Sequence, residues 1–313
     1  MSSHGERYLS ALRNKPLEPI SRLAPYCGLI ISTIFVILFF TRYHLLERCL
    51  IPRLYGRVYT DLSDLNRRGF INHHIAGATK AIILVLAIYP FVAVVSGRAA
   101  FRTPFAPGSR TTLGDMLIIA AQMLIAMYIF ELIYRVRVSP VAMLHHIGTV
   151  LIGQAVIALS LGSSRKPHPN LEFVLCVMWG AFDIVFEMFP HVAIILYRIY
   201  PNDHRFLSRV FLFSCITTAV GTTCETIVIM FFLGCLWNKW LLAFKIAAPL
   251  LHCAFSAAQI HGSTVFWTMY KRQERLLNGE GARDAERGEM TERTEPKDDY
   301  GSPPNSSPSA RPA

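Results

Sequence analysis

Seven stretches of the chain, at about 26–46, 71–96, 114–134, 140–162, 171–199, 207–236 and 240–270, are long and apolar enough to cross a bilayer. A spanning helix needs roughly 20 mostly apolar residues. Hydrocarbon offers no partner for backbone N–H and C=O groups, so runs of this length must satisfy those groups internally as helices. The expected fold class is therefore all-α, a polytopic transmembrane helix bundle of about seven spans. Composition agrees: apolar residues make up 52% of the 313 and charged residues 17%, against about a quarter charged in a soluble domain. These properties exclude a soluble enzyme, a disordered protein and a secreted disulfide scaffold. The net charge of +10 does not point to nucleic acid. The basic residues punctuate apolar runs instead of lining one polar face, as in membrane proteins.

Four segments follow. Residues 1–25 form a polar N-terminal segment, and 26–66 hold the first span and a loop. Residues 67–273 carry the other spans. Residues 274–313, rich in Pro, Ser, Gly and charge and nearly free of large apolar side chains, are expected to be a disordered tail. The first run lacks a small-residue cleavage site and is expected to be an anchor rather than a signal peptide. Lys and Arg near the span ends set the orientation. The side holding Arg42, Arg53, Arg67, Arg135, Arg198 and Lys271 carries 16 of them, the other side 10. The richer side is expected to be cytosolic, which places the N-terminus in the lumen and the C-terminus in the cytosol. The seven cysteines contain no C-x-x-C pair and are expected to be small buried apolar residues.

Ionisable residues inside spans are costly, roughly +2.5 to +3.5 kcal/mol for Asp, Lys or Arg at a helix centre, so each needs a partner or a function. Glu131 lies late in the third span, and His145 and His146 early in the fourth. Asp183, Glu187 and His191 lie in the fifth, Glu225 in the sixth, and His252 and His261 in the seventh. Asp183, Glu187 and His191 step by four and share one helical face, subject to any bend at Pro190. His145 and His146 point about 100° apart, so at most one dominates a given site. On the charge-based topology most of these groups share a depth in the cytosolic half, the pattern of a cavity open to the cytosol. Bland readings stand beside this one. Glu131 can pair with Arg135, a lone His252 can be a hydrogen-bonded core residue, and Lys80 can snorkel to the surface.

The stretch ELIYRVRVSPVAMLHHIGTVLIGQ, with His145, His146 and Thr149, resembles the central motif of the TLC domain shared by TRAM, the ceramide synthases and CLN8-type proteins. NRRGFINHHIAGATK resembles that family's first helix. The resemblance covers about 67–273. It implies a protein of an internal membrane, the endoplasmic reticulum, acting in lipid metabolism or homeostasis. Ceramide synthases join a fatty acyl group from acyl-CoA to a sphingoid base, and their signature adds a later D-x-x-D pair. Here the matching helix reads Asp183-Ile-Val-Phe-Glu187, so the second carboxylate is a glutamate one position late.

Two functions stay open. One is a lipid-binding protein whose cavity is lined by Glu131, His191, Glu225, His252 and His261. The other is an N-acyltransferase with catalytic His145, His146, Asp183 and Glu187. In that case a histidine serves as base or nucleophile, acyl-CoA is the co-substrate, and Arg135 and Arg137 meet its phosphates. Membrane lipids are the expected partners. No metal and no resident cofactor is expected, because the clustered histidine spacings of membrane di-iron enzymes do not occur. A proton-coupled transporter fits less well, since no paired half-repeats are visible.

Overall fold

The computed structural model describes residues 20–161, 171–240 and 242–279. The expected N-terminal segment, tail and SSRKPHPN loop fall almost wholly outside the described residues. Within those residues there is no β-strand, and seven helical spans are long and apolar enough to cross a membrane: Ala24–Tyr55, Asp64–Val95, Leu113–Tyr134, Pro140–Leu161, Leu171–Ile199, His204–Cys235 and Leu242–Leu277. The chain is an α-helical membrane protein that crosses the bilayer several times.

Several spans run past the apolar runs that reveal them. The first widens into π-helical turns over Thr41–Leu50, then re-tightens as Ile51–Tyr55. It stops at Gly56, whose φ of +50° favours glycine. Ser63 caps the second span by accepting from the Asn66 N–H, about eight residues before its apolar run begins. The third span starts in a capping box. Thr112 Oγ1 accepts from the Asp115 N–H, and Asp115 Oδ2 accepts from the Thr112 N–H. Asp115 Oδ1 also accepts from the Ser21 hydroxyl at 2.5 Å, so this buried acid ties the start of the first span to the third.

The fifth span is broken. Its helices are Leu171–Phe186 and Met188–Ile199, with Glu187 at the joint. Pro190 cannot donate to the Phe186 carbonyl and its ring crowds that group, so the helix yields one turn upstream and restarts with proline in its first turn.

The third span is the central helix, packed against the first, second, fourth and fifth, and the sixth and seventh form an antiparallel hairpin. The outward surface is apolar, with Leu29, Val85, Leu151, Ile227 and Leu250 exposed, as lipid requires. The cysteines correct an expectation: only Cys27 is buried, while Cys224, Cys235 and Cys253 are exposed. Hydrocarbon accepts a small apolar side chain as readily as the core does, so apolarity alone does not direct it inward.

Candidate functional site

Four spans deliver ionisable or phenolic groups to one point in the bundle. His145, one turn into the fourth span, directs Nε2 at Asp183 Oδ1 (3.5 Å) and Glu187 Oε1 (3.4 Å). Lys80 on the second span is wholly buried; its Nζ donates to Glu187 Oε2 at 2.8 Å and to the Asp183 carbonyl at 3.3 Å. Tyr128 on the third span is also wholly buried, and its hydroxyl donates to Asp183 Oδ2 and, at 3.2 Å, to Glu187 Oε2. The break places Glu187 at the joint of two helices, one turn beyond Asp183.

His146 turns the other way, as helix geometry requires. Its ring stacks on Tyr128 with centroids 4.4 Å apart, and its Nε2 faces Glu131 Oε2 at 3.6 Å. Glu131 is buried and looks inward at His146 instead of pairing with Arg135. His146 and Glu131 thus back the Tyr128 ring while His145 holds the front.

The front faces a cavity of about 320 Å³. His145, Thr149 and Asp183 close one end, and Glu225, Gln259 and Phe255 contribute from the sixth and seventh spans. The remaining wall is apolar, built from the second to fifth spans, with Ile83, Phe91, Leu117, Ile125, Ile157 and Phe173 among its residues. From His145 to Ile157 the wall runs about 18 Å along the fourth span at 1.5 Å per residue. Gly153 and Gly180 sit on this wall, and a Cβ on Gly153 would lie 2.8 Å from Ile125 Cδ1. Small residues there let the helices approach closely without filling the space.

The cavity is aligned along the spans. Its apolar wall extends away from the arginine-rich ends of the spans, with the charged cluster at the end nearer to them. Ile88 and Val92 on its wall are 53% and 48% exposed. These two residues form the most exposed part of the wall on the second span.

The other expected lining residues separate. Glu225 lines the cavity and accepts from Gln259 Nε2 at 3.0 Å. His252 sits one layer behind: its Nδ1 accepts from Trp179 Nε1 at 3.1 Å and its Nε2 meets Thr226 Oγ1 at 3.0 Å, so it is a hydrogen-bonded core histidine. His191 is away from the cavity, paired through Nδ1 with His73 Nδ1 at 3.0 Å. His261 is exposed and is not a lining residue. It lies two positions after the inward-facing Gln259, about 200° round the helix.

Sequence reasoning underrated Lys80 and did not single out Tyr128. Lys80 does not snorkel, because the second span begins at Asp64 and carries it to mid-helix, out of reach of the surface. The signal was available: a lysine sixteen residues into a capped 32-residue helix needs an acidic partner. A tyrosine in an apolar helix carries no comparable signal.

No family model, no curated protein and no solved structure matches this chain. Its site is interpreted from its own chemistry.

Proposed function

We propose that the protein binds a membrane lipid, with an acyl chain in the apolar cavity and the lipid's polar group at the His145–Asp183–Glu187 end, and that it acts in lipid metabolism or homeostasis in the endoplasmic reticulum. The observation that carries this reading is an apolar cavity that ends on a buried charged cluster. Such a shape suits an amphipathic molecule entering from the bilayer: methylenes stay in apolar surroundings throughout, and the polar group exchanges water for fixed partners. The double histidine in its TLC-like stretch is consistent with this reading and adds the internal-membrane location.

Mass spectrometry of lipids retained on the gently solubilised protein tests it. About one acyl-chain lipid per chain is expected, a stoichiometry set by a single cavity of this size. Ala121→Trp, which fills the cavity wall, should release it, and Leu151→Trp, on the lipid-facing surface, should not. Equal retention by all three proteins refutes the reading.

A second reading is favoured by His145 being the one histidine of the pair that reaches the cavity. As a base it takes the proton of a long-chain amine while the amine nitrogen attacks an acyl thioester and the thiolate leaves. Asp183 and Glu187 stabilise the resulting imidazolium. Amide formation from acyl-CoA and a long-chain amine, lost in His145→Ala, supports this reading; no product across a panel of chain lengths removes it.

A further inference from the structure

We propose that His145 Nε2, Asp183 Oδ1 and Glu187 Oε1 form a binding site for a zinc-class divalent metal ion, with its remaining coordination position facing the cavity. The distances point there first. Ligand bonds of about 2.0–2.2 Å at tetrahedral angles set neighbouring ligand atoms about 3.3–3.6 Å apart. The observed separations from His145 Nε2 are 3.5 Å and 3.4 Å. Hydrogen bonds between the same groups would fall at 2.7–3.2 Å. One atom from each of the three residues lies within 4.8 Å of the others.

The burial of these atoms gives a second reason. The side chains of His145 and Asp183 are only 9% and 8% exposed. Even so, His145 Nε2 and Asp183 Oδ1, the atoms aimed at the site, face each other at 3.5 Å without a hydrogen bond, and His145 Nδ1 also lacks a partner. Buried polar atoms in a helix bundle are almost always paired. The opposite oxygens are engaged: Tyr128 holds Asp183 Oδ2, and Lys80 and Tyr128 hold Glu187 Oε2. Each carboxylate is thus turned by an outer partner so that its free oxygen faces the imidazole, the usual manner of orienting metal-ligating carboxylates. His145 and Asp183 both line the cavity, so the open position presents the ion to whatever polar oxygen the cavity admits.

This site does not depend on a lipid being the occupant. A metal on Nε2 would withdraw that atom from service as a general base, so the proposal also competes with the acyl-transfer reading. The arrangement it must beat is a metal-free cluster in which a protonated His145 and Lys80 neutralise the two carboxylates.

The test uses full-length protein in detergent, stripped with chelator and then exposed to zinc, with cobalt(II) as a spectroscopic substitute. Elemental mass spectrometry should find about one zinc per chain, as for a single three-residue site, and cobalt should give the visible bands of a four-coordinate ion. Asp183→Asn and Glu187→Gln should each weaken binding at least tenfold while eluting as the wild type does, and Asp61→Asn, at an exposed position outside the site, should bind normally. Should the variants fail to fold, the wild-type titration decides alone: the cobalt bands support the site, and no zinc or cobalt bound to folded wild type overturns it in favour of the neutral cluster. Undiminished binding by the two carboxylate variants overturns it as well.

Discussion

Lys80→Met is the most informative single change to the framework of the site. Methionine conserves much of the side-chain volume but removes a wholly buried cation that lies 2.8 Å from Glu187 and 3.3 Å from the Asp183 carbonyl. The two carboxylates then keep only His145 and the Tyr128 hydroxyl as partners. Removing one partner of a buried ion pair costs about 3–5 kcal/mol, chiefly because the other charge is left uncompensated. Glu187 is 25% exposed and recovers some hydration, so the lower end, about 3 kcal/mol, applies. At ~2–4 °C per kcal/mol for a domain of this size, the melting temperature should fall by about 6–12 °C. The assay is thermal unfolding in detergent on chelator-treated protein, which keeps metal binding out of the comparison. The double variant Lys80→Met/Glu187→Gln removes both charges and should recover at least about half of the loss, because replacing a buried pair is far cheaper than breaking it. A single variant melting within about 2 °C of wild type, under 1 kcal/mol on the same conversion, refutes the reasoning. So does a double variant no more stable than the single.

Two further outcomes are expected. A Cβ on Gly221 would overlap the Phe186 ring, so Gly221→Ala should destabilise by about 1–3 kcal/mol through overpacking against the helix joint; Gly262→Ala, with nothing within 4 Å, should be neutral or stabilising in the same melting assay. From the charge asymmetry, a glycosylation acceptor placed before Tyr26 should be modified in cells and one placed after Arg275 should not; the reverse pattern overturns the assigned orientation.

The spans were legible in the sequence because length and apolarity are one-dimensional properties, and the structure reproduces all seven with ends shifted by a few residues or by a turn or two. Those shifts decided the interpretation of Lys80. Counted from an apolar run beginning near 71 it seemed close to the boundary, whereas from the Ser63 cap it is central. The pairing of Asp183 and Glu187 was visible as a four-residue step, and the divergence of His145 and His146 as a 100° rotation. The partners of those faces were not legible, because they depend on which helices pack together. Tyr128 is the clearest case. Nothing in the run around it distinguishes a tyrosine that holds two carboxylates from one that fills space. The cavity was equally hidden, since it is a void left where small residues such as Gly153 and Gly180 let the spans approach. His261 was misassigned because depth along a helix was used without its angular position.

The central claim, that an acyl chain occupies the cavity, is tested most directly by photo-crosslinking with lipids that carry a diazirine at the chain terminus, followed by peptide mapping. The account predicts adducts on Leu117, Ile157 and Phe173, which are at most 3% exposed and line the cavity beyond the charged cluster, and their loss in Ala121→Trp. Adducts confined to outward-facing residues such as Leu29, Val85 and Leu151 would contradict it.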